Sequence, residues 1–418
     1  MSDSPLAWSA LEGLAEAAGP FPRDPLQGAT SAQATLRLFG HDPSAVRVTL
    51  FRDHHAWCPY CQKVWLWLEE KRIPYRIRKV TMFCYGRKEA WYQRLVPSGM
   101  LPAVELDGRL ITESDRILER LEAAFGPLGA AMNDPGVLPL RQLERLLFRA
   151  WCQWLCRPAA DRAEEDRAAA AFHGVADRLD AALTRTSGPF LLGGEPTAAD
   201  LVFVPYLERM NASLAYYKGD LLRRRHPAIH RWFTGLEQRS TYLGTQGDFH
   251  THSHDLPPQM GGCFASGTTA QRTLADRIDR GPWPILGAGE ADPETSQSEP
   301  RDAADHALVR VLRHRRPLLE RGGRCCEAFD AGLRAALTAL ATGRACPPPA
   351  GTAAALRSLR NRISVPRDMP LHAARRLRQA LEATARLDPR DPHAEGEPIP
   401  TRHRLDQDPA PFLPPAAA

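Results

Sequence analysis

The sequence predicts an α/β domain, then an all-α domain, then a further, mainly helical extension. Three observations carry this: a β-α-β-α-β-β-α order within residues 46–126, helical periodicity from 140 to about 241, and a change of character beyond 245. The 418 residues are too many for one compact core and leave room for two or three domains.

Residues 1–45 read as a lead-in with one amphipathic stretch, Leu6 to Ala17. The first domain, 46–126, opens with a β-branched strand, Val46 to Phe51, and a helix from Pro59 to Lys71. Pro suits a first helical position because the N–H it lacks would be unpaired there. A strand over Tyr75 to Val80 and a helix over Arg87 to Leu95 follow. Ala103–Leu106 and Arg109–Thr112 form a hairpin around Asp107-Gly108, a strong turn signal. Ser114 starts a helix that reaches Phe125. This order is the thioredoxin-type arrangement.

Residues 127–139 are punctuated by Gly and Pro and read as a linker. The all-helical domain spans 140–245. Leu140, Leu143, Leu147, Trp151 and Trp154 recur at helical spacing there, and Thr197 with Asp200 forms a capping box before an apolar helix, Leu201 to Tyr217. The extension covers 246–390, with 284–303 as a flexible connector and helices over Arg310–Ala341 and Ala353–Leu387. Residues 391–418 are Pro-rich and expected to be a disordered tail.

No apolar run reaches the roughly 20 residues that span a bilayer, so no membrane association is expected. The start carries Asp3, Glu12 and Glu16 rather than a basic and then apolar stretch, so no signal peptide is expected either. Nine Cys without a regular framework suit a reducing compartment, and the expected location is cytoplasmic. From Arg301 onward 20 Arg face 13 acidic residues, but few aromatics accompany them, which argues against nucleic acid. The Arg-rich stretches 310–316 and 373–378 read as solvated helix faces, with a phosphate-bearing or flavin-like anionic cofactor as the other reading.

The chemistry concentrates at Cys58-Pro59-Tyr60-Cys61. A thiolate is the nucleophile of disulfide exchange, and a strand-to-helix turn favours it through free N–H groups and the helix dipole. Cys58 is expected at that turn, exposed, Cys61 falls on the same helix face, and Lys63 lies near in sequence. A zinc half-site needs a second pair at ligand spacing. Cys152/Cys156, one helical turn apart, and adjacent Cys325-Cys326 do not supply one. Leu101-Pro102 precedes a strand facing the thiol turn, where a cis peptide would open the Leu101 N–H and C=O to a peptide. Glu113-Ser114 opens a helix whose free N–H groups bind a carboxylate, while Glu113 receives an ammonium group. His250, His252 and His254 alternate and share a face on an extended chain; they read as a hydrogen-bonded interdomain turn, with a metal site as the alternative. No metal ligand set is assigned.

These three elements, in this order and spacing, resemble the N-terminal domain of the glutathione transferase superfamily, and the helical segment resembles its second domain. Cys-Pro-x-Cys is similar to the cysteine-type branches (omega, lambda, dehydroascorbate reductase and iota) and to glutaredoxins. The extension, with Thr251 to Gly262 at its start, is most similar to the iota class. The resemblance implies glutathione as cosubstrate and Cys58 as catalytic thiol, with Cys61 permitting a dithiol cycle. It also implies Leu101 and Pro102 at the glutathione cysteine, Glu113 and Ser114 at its γ-glutamyl end, and Lys88 at its glycine carboxylate. A Cys forms a mixed disulfide with glutathione, so the implied activity is thiol transfer, deglutathionylation or reduction of small oxidants. The implied partners are glutathione and glutathionylated or oxidised molecules, in an assembly compatible with a homodimer. The other reading is a non-catalytic scaffold whose extension docks a partner or an anionic aromatic ligand such as a flavin.

Overall fold

The computed structural model describes residues 4–21, 24–287, 289–323 and 327–391. Five strands form one sheet: β1 (Leu36–Arg37), β2 (Val48–Asp53), β3 (Tyr75–Val80), β4 (Ala103–Leu106) and β5 (Arg109–Thr112), in the order β1-β3-β2-β4-β5. β2 and β3 are parallel, joined by α2 (Pro59–Glu70); β4 runs antiparallel to both β2 and β5. Alternation along β2 sends Val48 and Leu50 to the main core under α2, and Phe51 to a smaller cluster with Tyr92 and Val96 under α3 (Ala90–Leu95). α4 (Ser114–Phe125) completes the domain. Strand β1, only two residues long, carries no readable periodicity in the sequence.

The helical domain runs through α5 (Leu138–Leu155), α6 (Arg162–Thr184), α7 (Ala198–Ser213), α8 (Leu222–Arg225), α9 (Pro227–Glu237) and α10 (Ser240–Leu243). α7 is buried along its whole length and continues into a π-helical turn, Leu214–Lys218. The capping box forms as expected: the buried Asp200 carboxylate accepts from Thr197 N–H (2.9 Å), and also from Leu191 N–H and Trp232 Nε1–H.

The extension contains α11 (Phe249–Met260), α12 (Thr269–Arg280), α13 (Ala303–Arg313), α14 (Arg315–Gly323), α15 (Phe329–Thr342), α16 (Ala353–Arg362) and α17 (Leu371–Ala385). Leu256, Leu274 and Ile278 of α11 and α12 join the main core, whereas α13–α17 build a second core. The expected amphipathic stretch near the start is α1 (Trp8–Ala18), and it packs on that second core. Leu11 is buried there, and Trp8 Nε1–H donates to Asp330 Oδ2 at 2.9 Å.

Three expectations need correction. Residues 249–260 are helical, not an extended His turn, because the Asp248 carboxylate caps Thr251 N–H. Pro257 removes the bond to Ser253 C=O, and Tyr217 O–H fills that acceptor at 2.8 Å. The described residues of 284–303 are not a free connector: Asn211 donates to Pro293 O, and Asp292 and Glu294 pair with Arg375. The arginines of 373–378 are accordingly not all solvated. Arg375 and Arg378 are buried against Glu294 and Asp248, and the more exposed Arg376 pairs with Glu299. The expected tail lies outside the described residues from 392 onward, as does Cys325-Cys326.

Candidate active site

β2 delivers the chain into the turn before α2, and Cys58 is the N-cap of that helix. Its Sγ accepts from Cys61 N–H at 3.4 Å, taking one of the N–H groups a helix start leaves unpaired. Pro59 holds the first helical position, as the sequence predicts. Cys58 is buried at 5% exposure rather than exposed as the sequence suggests, because Trp57 and α7 pack around the turn, and Cys61 is 1% exposed. Burial, and then its hydrogen bond to Cys58, push the Cys61 thiol well above its ordinary range, so it stays protonated.

Behind the two thiols lies Asp53, the last residue of β2 and fully buried. Its Oδ2 accepts from Trp57 N–H at 2.7 Å, fixing the turn that aims Cys58. The Asp53 carboxylate and both sulfurs lie within 4.8 Å of one another. From the helical domain, α7 sends in Arg209, also fully buried. Its guanidinium sits 4.5 Å from the Trp57 ring centroid and donates to Trp57 O and to Gln62 Oε1. Burial pulls Arg209 down, opposed by the charges of Glu208 and Cys58, so this cation lies in electrostatic reach of the thiol. The extension reaches the same turn. Trp57 Nε1–H donates to His252 Nδ1 at 3.1 Å, and His252 Nε2 faces Glu208 Oε2 at 3.3 Å.

The remaining expected residues gather by register. Ala103 of β4 pairs with Phe51 on one side and Thr112 on the other. Leu101-Pro102, Glu113-Ser114 and the end of β2 therefore share one edge of the sheet. The Leu101–Pro102 peptide is cis, the isomer the sequence could not disclose. Glu113 is exposed at φ 67°, a left-handed conformation that costs a non-glycine residue about 1–3 kcal/mol and is typical of ligand clamps. Ser114 is buried at the start of α4. Lys88 packs its stem near Gly99, just before Leu101. Burial lowers its ammonium, and the charges of Cys61, Glu89 and Cys58 work the other way. Lys63 does not join this group. Its ammonium pairs with Asp115, which Arg141 also holds at 3.0 Å.

Sequence reading missed Asp53 and Arg209; it singled out His252 as part of a hydrogen-bonded interdomain turn but did not place it against Trp57. For Arg209 a signal existed: Glu208-Arg209 is a charged pair inside an otherwise apolar helix, where a charge must find a partner. A second cluster that could ligate a metal is His250, His254 and Asp279, all buried, with their ligand atoms within 4.8 Å. One helical turn separates the two His, and His252 points away from them.

Residues 57–124 match the family model of the glutathione S-transferase N-terminal domain, and 162–235 that of its C-terminal domain. Glutathione S-transferase DHAR2 of Arabidopsis thaliana is 28% identical over 192 residues, 45% of this chain and 84% of that protein. The probable cytosolic glutathione S-transferase DHAR1 of Oryza sativa is 25% identical over 190 residues, 45% of this chain and 84% of that protein. The crystal structure of Chlamydomonas reinhardtii dehydroascorbate reductase is 21% identical, with a TM-score of 0.40 over 48% of this chain and 93% of that one.

Proposed function

Because this chain carries the N- and C-terminal domains of the glutathione S-transferase superfamily, we propose that it is a glutathione-dependent thiol transferase of the cysteine type. One observation carries the reading: a Cys, rather than a hydroxyl residue, caps the helix at the end of β2, beside a buried arginine. A hydroxyl there would hold a glutathione thiolate for conjugation, whereas a cysteine exchanges with it.

The Cys58 thiolate attacks the glutathione sulfur of a mixed disulfide. A Cys58–glutathione disulfide forms, the original S–S bond breaks, and the substrate leaves as a thiolate that takes up a proton. A second glutathione thiolate then attacks the glutathione sulfur bound to Cys58. Glutathione disulfide leaves and the Cys58 thiolate returns. The Cys61 N–H at the start of α2 donates to the Cys58 sulfur, and the Arg209 guanidinium lies in electrostatic reach of it. Cys61, only 1% exposed, has no solvent to take its proton and donates a hydrogen bond to Cys58 rather than attacking, so the cycle is monothiol. Leu101 pairs with the cysteinyl backbone of glutathione, Glu113 and Ser114 take its γ-glutamyl end, and Lys88 its glycine carboxylate. Placement in the iota-like branch and in a reducing cytoplasm belongs to the same proposal.

Turnover of a glutathionylated peptide by the full chain tests it. Cys58→Ser should abolish turnover and Cys61→Ser should retain most of it. Retained activity in Cys58→Ser would sink the assignment, and inactivity of both variants would restore a dithiol cycle.

A further inference from the structure

A second group of thiols lies outside the Cys58 site. Cys152 belongs to the last turn of α5, Cys156 caps that helix, and Cys263 follows α11. All three are free and half-buried. Cys263 and Cys156 each adjoin one end of the backbone hydrogen bond that joins Phe264 to Leu155. Backbone bonds stitch this seam: Phe264 N–H donates to Leu155 O at 2.9 Å, and Ser266 N–H to Tyr217 O at 2.8 Å. Lys218, at the end of the π-helical turn, is buried here with its ammonium 3.0 Å from Glu165. A cavity of about 280 Å³ is lined by Pro158, Arg162, Glu165 and Phe264 among others, on segments that begin directly after Cys156 and Cys263.

The surroundings differentiate the three sulfurs. Hydrogen bonds from Cys152 and Cys263, with the charge of Lys218, hold the Cys156 thiol well below its ordinary value despite burial. The same hydrogen bonds, together with burial, push Cys152 and Cys263 up. Of the three, Cys156 is the thiol these surroundings favour as the attacking sulfur. Helix geometry decides which of them can close on it. Cβ atoms four residues apart on a helix lie about 5–6 Å from each other, more than the roughly 3.5–4.5 Å a disulfide spans. Cys156 N–H still donates to Cys152 O at 2.9 Å, so bridging those two would unwind the end of α5. Cys263 lies in the irregular segment 262–268 and has no such constraint.

We propose that Cys156 and Cys263 are a redox-sensitive modification site that takes a glutathione-type disulfide as oxidant and cross-links α5 to the extension. The Cys156 thiolate attacks one sulfur of the small disulfide. A Cys156–glutathione bond forms, the small molecule's S–S bond breaks, and one glutathione leaves as a thiolate and is protonated. Cys263 then gives its proton to solvent and attacks the Cys156 sulfur, expelling the second glutathione as a thiolate that is protonated in turn. Two protein thiols become one disulfide, and one small disulfide becomes two thiols. The cavity on the segments that follow the pair is lined by charges of both signs, Arg162 with Asp161 and Glu165, which suits a zwitterionic peptide disulfide.

The test maps thiols in the full-length wild-type chain and in Cys58→Ser. Each is held in a large excess of glutathione disulfide, alkylated, digested without reductant and analysed by mass spectrometry. The expected product in both chains is the Cys156 peptide joined to the Cys263 peptide, released by reductant; in Cys263→Ser the Cys156 peptide instead carries glutathione. Alkylation of both Cys156 and Cys263 in the two chains would overturn the proposal. So would a Cys152–Cys156 link, or a glutathionylated Cys156 beside an alkylated Cys263. Cys58 reports on the main site in the same wild-type digest, so failure of one site cannot be mistaken for failure of the other.

Discussion

Asp248→Asn isolates the charge that joins α17 to α11, the helix of the extension that touches the candidate site. Asp248 does two things: it caps α11 at Thr251 N–H (2.9 Å) and pairs with Arg378 of α17. The two side chains are only 2% and 1% exposed. Asn caps a helix about as well as Asp, so the capping contribution of about 1 kcal/mol is kept. What is lost is the anion facing a buried guanidinium, which then keeps the Ile363 carbonyl (2.8 Å) as a neutral acceptor. Removing one partner of a buried pair costs about 3–5 kcal/mol. Glu294, pushed up by burial and by the like charge of Asp248, ionises more readily in the variant and offsets part of this. The expected loss is therefore about 3 kcal/mol, or a urea midpoint roughly 1 M lower for an m-value of about 3 kcal/mol/M. Asp248→Asn/Arg378→Met should recover at least half of it, since apolar replacement of a buried pair is close to neutral. The pH dependence has a definite sign. Burial alone would raise the Asp248 carboxyl, but the charge and hydrogen bonds of Arg378 outweigh it and hold the group low. A depressed carboxyl stabilises the fold above its unfolded value of about 3.9 and loses that contribution as pH falls through the folded value. The gap between wild type and variant should be flat near neutrality and narrow in acid. Tryptophan fluorescence in urea reads all of this. A loss under about 1 kcal/mol, or a double variant no better than the single, would refute the reasoning.

Further outcomes are expected elsewhere. Asp200→Ala leaves Leu191 N–H and Trp232 Nε1–H without their buried acceptor, and should cost about 3 kcal/mol in urea unfolding. Lys88→Met should raise the KM for glutathione about tenfold with little change in kcat, the worth of one charge-assisted bond; an unchanged KM would remove Lys88 from the site. In the wild type, glutathione affinity should fall as pH rises through a Lys88 value that burial sets below the ordinary lysine value of about 10.4, and Lys88→Met should lack that limb.

Local signals were legible in the sequence and distant ones were not. Cys58-Pro59, Asp107-Gly108 and Ser114 each state their backbone geometry within a few residues, so the succession of elements from 46 to 126 followed, while Leu101-Pro102 marked its place without disclosing the cis isomer. Thr197 and Asp200 did the same for α7. Arg209 and His252 reach Trp57 from 152 and 195 residues away in the chain, and no local pattern encodes such a contact. α11 was misread because alternating His and two Pro suggest extended chain. The cap at Asp248 and the hydroxyl of Tyr217 make the helix tolerable, and both act through tertiary structure. The arginines of α17 looked solvated because their partners, Asp248, Asp292 and Glu294, sit about 80 to 130 residues upstream.

The central claim is that Cys58 exchanges directly with glutathione while Cys61 stays reduced. Trapping the oxidised species tests it most directly: wild-type chain is mixed briefly with limiting glutathione disulfide, quenched in acid, alkylated and mapped by mass spectrometry. The account predicts glutathione on Cys58 and an alkylated Cys61. A Cys58–Cys61 disulfide as the main species, or an unmodified Cys58, would contradict it.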